Sequence, residues 1–148
     1  MTSPLAPKWL RILAVLLALG FLAFGLVRLG VGGAMLGAEL GWWAAVGEMA
    51  EALDETRAFL ARHEAQAFMA WSVAFYFGLI TVMGVILASG AALYLAARRK
   101  AGLVLIAIYL ALHGAMFLNY QVVNPKIGLL ALTIAAWAIM WWRHHKEQ

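Results

Sequence analysis

The chain contains no cysteine, which excludes thiol redox chemistry, disulfides and thiolate metal sites. Charge is scarce too: 12% of its 148 residues are Asp, Glu, Lys or Arg and 66% are hydrophobic, well outside the soluble globular range. No Ser-His-Asp set, intramembrane carboxylate pair or phosphate loop is present, so nothing argues for an enzyme on its own. The formal net charge of +4 gathers at the ends of apolar runs. It reads as a topology signal, and nucleic acid is not an expected partner.

What fills the chain instead is apolar length. Ala67 to Ala97 carries no formal charge and is followed at once by Arg98, Arg99 and Lys100. About 20 apolar residues suffice for a helix to cross a bilayer, and Lys and Arg near a span end are retained on the cytoplasmic side. That segment is a span with its C-terminal end inside. Lys8 and Arg11 precede the apolar run Ile12 to Val27, which is longer than the roughly 7–15 residues of a signal-peptide core and reads as a retained first span. The spans predicted are 10–29, 67–97, 101–120 and 126–142, with Asn124 and Pro125 in the outer turn before the last. Both termini are then cytoplasmic, in a bacterial-type inner membrane. The expected fold is all-α: an integral membrane four-helix bundle, a single domain over 1–148, with an extracytoplasmic amphipathic helix.

That outer segment occupies 42–66. From Glu48 to Glu64 charged residues alternate with Met49, Leu53, Phe59 and Leu60 at helical spacing, so one side is apolar. The absence of Gly and Pro between Gly47 and Gly78 favours a helix that continues into the second span, and a bend near His63 is the alternative left open. Gly30 to Gly41, holding five glycines, reads as a loop or re-entrant turn.

Few polar residues are placed to form a site. Arg28 is expected at the outer boundary, paired with lipid phosphate or with Glu39, Glu48 or Glu64. His113 is the one histidine well inside a span, and either packs through a hydrogen bond or orients a ligand. Tyr109, Met116 or Phe117, and Tyr120 share its helix face. Arg28, Tyr109, His113 and Asn119 are therefore the candidate ligand-binding residues, in the outer half of the membrane. Quinone is a candidate cofactor. Haem is disfavoured, because His63 at the rim and His113 deeper are mismatched in depth. A zinc site from His63, Glu64 and His113 is open by residue type but lacks a spacing signature. Transport ranks last, since mid-membrane looks nearly free of ionisable groups.

The run Arg11 to Leu29, with Gly25 three residues before Arg28 and Leu29 after it, resembles the first-helix ending of DoxX-like small membrane proteins. The resemblance implies a four-helix inner-membrane protein, in a family where some members are linked to quinone-coupled sulfur oxidation. This chain lacks the acidic residue such proteins often carry early in the second helix, and its outer segment is longer. Its first reading is a non-enzymatic accessory or lipid- or quinone-binding bundle, whose partners are membrane lipids, another membrane protein or a second copy of itself. The alternative is a subunit or small enzyme of quinone-linked redox chemistry.

Overall fold

The computed structural model describes residues 7–122 and 126–146. Asn124 and Pro125, assigned above to an outer turn, lie outside them. Five α-helices follow in order, α1 (Lys8–Glu39), α2 (Glu48–His63), α3 (Val73–Leu95), α4 (Arg99–Tyr120) and α5 (Lys126–Lys146), and there is no strand among the described residues. Four of these, all but α2, are long and apolar enough to cross a membrane. The fold is all-α, a bundle of four such helices with an amphipathic fifth.

Helix α1 runs straight through the glycine-rich stretch that reads as a loop. Its inward stripe, Leu10, Ala14, Ala18, Phe21, Gly25, Gly32 and Met35, is made largely of small residues. Lipid provides no hydrophobic drive between helices, so close backbone approach has to supply the packing. At Gly25 an added Cβ would lie 2.6 Å from the Ala88 nitrogen, and at Gly84 of α3 it would lie 2.5 Å from the Leu29 nitrogen. Gly32 meets Thr81 and Ile80 in the same way. These three glycines are thus contact surface, while Gly30 and Gly33 have open space around them among the described residues. The break comes only at Gly41, left-handed at φ 76°, where Trp42 N–H donates to the Gly37 carbonyl at 2.9 Å and Gly41 N–H to that of Ala38 at 3.1 Å. Trp43 then folds its indole over Gly37 and donates to the Ala34 carbonyl at 3.1 Å.

Helix α2 buries Leu53 and Leu60, half-buries Met49 and Phe59, and turns its charges out. Met35 of α1 and Phe77 of α3 complete the small apolar cluster beneath it. Arg57 ties it to α1 through Glu39 at 2.6 Å and to its own turn through Asp54 at 2.8 Å. Asp54 and then Glu39 push the Arg57 guanidinium up from its ordinary value, though pairs this exposed add little stability.

The favoured continuous helix into the second span is not formed. A short 3₁₀ turn at Glu64–Gln66 follows α2, and α3 begins only at Val73, its N-terminus capped by Ser72, which accepts from Phe75 N–H at 3.1 Å. The chain between is held by the end of α4. Phe68 N–H donates to the Asn119 carbonyl at 3.0 Å, and the Asn119 amide exchanges two hydrogen bonds with the Met69 backbone at 2.9 and 3.0 Å. Gln66 donates to the Tyr120 carbonyl and Gln121 to that of Gln66. Tertiary hydrogen bonds break a helix that local propensity would have continued.

At the opposite end lie the starts of α1 and α4 and the end of α3. Helix α5 runs past its expected limit at Trp142, and Arg143, just beyond that limit, is only 3% exposed, its Nη1 3.3 Å from the Tyr94 hydroxyl. Trp137 of α5 donates to the Leu103 carbonyl at 2.9 Å. The main core joins Ala18, Phe21, Leu87, Ile106, Tyr109 and Met140 from all four long helices.

Gly25→Ala should lower stability by about 1–3 kcal/mol, because Ala88 backbone cannot yield as a side chain can. Gly20→Ala, with open space around its Cβ among the described residues, should leave stability unchanged or slightly raised by helix propensity. Thermal unfolding of the two variants in detergent checks this; equal effects would rule out the close α1–α3 contact.

Candidate functional site

Arg28 continues the inward stripe of α1, three residues after Gly25 and four before Gly32. Its side chain reaches back toward the helix N-terminus, as helical side chains do. The guanidinium lies 5.3 Å from the Phe24 ring centre and 5.4 Å from that of Tyr109, with Nη1 3.9 Å from the Met83 sulfur. Met83 and Tyr109 stand midway along α3 and α4. The charge is therefore at mid-height, about 17 Å from either end of the 23-residue α3 at 1.5 Å per residue. The expectation of an arginine at the outer boundary, and of a centre nearly free of ionisable groups, is overturned.

Of the partners expected for Arg28, the carboxylates Glu39, Glu48 and Glu64 do not pair with it. Glu39 is engaged with Arg57, and among the described residues no carboxylate comes within ion-pair distance of Arg28. A central arginine costs about 2.5–3.5 kcal/mol on membrane-insertion scales. Two aromatic faces return about 1–2 kcal/mol each when desolvated. They stabilise the charge without neutralising it.

His113, 4% exposed, is the nearest polar neighbour, its Nε2 3.5 Å from Arg28 Nη2. A guanidinium has only donors, so Nε2 is the accepting nitrogen and Nδ1 carries the hydrogen that faces the Tyr109 hydroxyl at 3.3 Å. The ring packs at a tilt between Tyr109 and Phe117, at centre distances of 5.5 and 5.4 Å. Arg28, His113 and Tyr109 thus form one connected group built from α1 and α4.

Above this group is a chamber of about 490 Å³, within the usual size of small-molecule sites. Arg28 and His113 form its floor; Tyr76, Ile80, Met116, Phe117 and Tyr120 form the walls; and Glu55, Phe59 and Arg62 of α2 line its partly open rim. Tyr120 is buried, and its hydroxyl has no hydrogen-bond partner among the described residues. The shared face of Tyr109, His113, Met116 or Phe117 and Tyr120 was legible in the sequence; Tyr76 was not, nor the aromatic cover of Arg28. Phe24 had a signal, standing four residues before Arg28 on the same helix face.

Asn119 is not in the chamber. It is 7% exposed, and its amide clasps the Met69 backbone. His63 has Nδ1 on its own helix, donating to the Phe59 carbonyl at 2.8 Å. Among the described residues no three His, Asp or Glu side chains are grouped to hold a metal, so the zinc set His63, Glu64 and His113 does not assemble. A wider groove of about 920 Å³ at the other end is lined by Arg98, Arg99, Lys100 and His144 beside Leu93 and Val104; basic side chains there lie where lipid headgroups are, and need no further role. Compared with protein-family models, curated proteins and solved structures, the chain gives no match.

Asn119→Leu should destabilise the protein by about 1–3 kcal/mol, since it leaves the Met69 amide and carbonyl unpaired in an apolar setting. Hydrogen exchange at Phe68 and Met69 should rise. Protection unchanged at those two amides would show that the clasp does not hold the break.

Proposed function

We propose that this chain is a non-enzymatic accessory protein of a bacterial-type inner membrane, whose bundle holds the head of a membrane amphiphile, a lipid or a quinone. The carrying observation is the chamber itself: a polar floor of Arg28 and His113 at mid-height under apolar and aromatic walls. A head with hydrogen-bonding oxygens suits the floor, and a hydrocarbon or isoprenoid tail suits the walls. On this reading Arg98, Arg99 and Lys100 face the cytoplasm and α2 lies outside. The DoxX-like resemblance fits it: of the motif residues, Gly25 and Leu29 make the close α1–α3 contact and Arg28 the chamber floor. Transport gains no support, because α1, α3, α4 and α5 run unbroken through the level of Arg28.

A quinone-linked redox subunit is the second reading. The Tyr109–His113 hydrogen bond favours it, as a proton-carrying pair beside a bound head. Electron transfer from a supplied donor to bound quinone, followed by absorbance, separates the two, since a redox subunit catalyses it and an accessory bundle does not.

Protein purified in mild detergent should retain amphiphile at close to one equivalent by solvent extraction and mass spectrometry. His113→Leu should lower that retention more than it lowers thermal stability. Full retention with only a loss of stability would make His113 a packing residue and defeat the site. Cysteines placed singly at Ala58 and Lys100, both exposed, should be labelled from opposite sides of sealed vesicles; labelling of both from one side would overturn the topology.

A further inference from the structure

Arg28 states more than the presence of a polar floor. We infer that the ligand head is a monoanionic oxyanion, a carboxylate or a phosphodiester, and that Arg28 is its counter-ion; the inference rests on the chamber being an amphiphile site.

The argument is electrostatic. Among the described residues nothing acidic pairs with Arg28, whose only polar contacts are the Met83 sulfur and His113 Nε2. Ordinary lipid phosphates cannot supply the missing charge, because the guanidinium is at mid-height and reaches away from the α2 end, toward Phe24. A structural arginine would have been directed to the interface, as long basic side chains near span ends are. Glu55 and Arg62, the other charged groups at the chamber, are one of each sign on α2 and leave the balance to Arg28. The site therefore carries a single uncompensated positive charge, which matches a head bearing one negative charge. A neutral quinone would leave that charge unpaired. Hydrogen bonds to an ionised partner are also roughly twice as strong as neutral ones, and a guanidinium presents paired donors to two oxygens.

The geometry assigns a second consequence. With no ligand bound, the aromatic faces roughly offset the cost of burying Arg28, so removing its charge leaves the stability of the empty protein little changed while abolishing the preference for anions.

Delipidated wild-type protein in detergent is titrated with oleate, with the lysophosphatidylglycerol of the same chain, and with oleyl alcohol and a short-chain ubiquinone. Oleate or the lysophospholipid should bind at least about tenfold more tightly than the alcohol and the quinone, as one charged hydrogen bond in place of a neutral one requires. Whichever anion binds identifies carboxylate or phosphodiester as the source. Arg28→Gln should leave the melting temperature of the ligand-free protein close to that of wild type and bring the anion and alcohol affinities to within a factor of about two. Arg28→Lys should keep part of the preference, because charge survives and the paired donors do not. Equal affinity of wild type for oleate, alcohol and quinone would overturn the anionic head and leave the amphiphile chamber standing. Binding of none of the four would overturn both. The wild-type comparison stands whether or not either variant folds.

Discussion

Everything in the bundle depends on how closely α1 and α3 approach. In lipid two apolar helices gain nothing by hiding from solvent, so association rests on van der Waals contact and on a few internal hydrogen bonds. Gly25 and Gly84 bring backbone against backbone across this pair, and Gly32 extends the contact toward the α2 end. The consequence reaches past packing. Arg28 is fixed between Gly25 and Gly32 on the same stripe, so closing the seam forces its side chain into the bundle, against Met83 and Tyr109. Lateral escape to lipid or to the headgroups is denied to it by the same contact.

A second constraint governs the ends. Backbone that leaves a helix near a membrane has to find hydrogen-bond partners, because little water is available to supply them. The chain from Gln66 to Met69 finds them on Asn119, Tyr120 and Gln121 at the end of α4, two of whose carbonyls accept in turn. This clasp separates α2 from α3, which lets α2 lie over the bundle rather than extend from it. The chamber exists because of that separation. Had the helix continued, Phe59 and Arg62 would have been carried away from the opening above Arg28 and His113.

Charge and cover then divide the molecule in two. One end carries the basic residues of the α3–α4 turn and the end of α5, with Arg143 drawn inward to the Tyr94 hydroxyl. The other carries α2, whose acidic first turn and basic last turn agree with its helix dipole. Between them sits one guanidinium whose neighbours are aromatic rings, a thioether and a neutral imidazole. That arrangement holds a charge in place without satisfying it, and a group so held is available to a ligand.

Span number, the amphipathic character of α2 and the shared face of Tyr109, His113 and Tyr120 were all legible in the chain, because hydropathy, helical period and i to i+4 spacing are local properties. Arg28 was half legible: its place on the stripe from Leu10 through Gly25 to Met35 already pointed inward, but the glycines beyond it hid the helix they belong to. Glycine has one local meaning and another at a helix contact, and only the facing backbone of α3 decides between them. The break at 67–72 was undecidable from the chain apart from the Ser72 cap, since the groups that enforce it are about fifty residues away on α4. By itself the sequence determined how many long apolar helices there are and where an amphipathic one lies. The tertiary structure decided where those helices start and stop and that, among the described residues, no acid stands beside Arg28, because both depend on partners brought together only by packing.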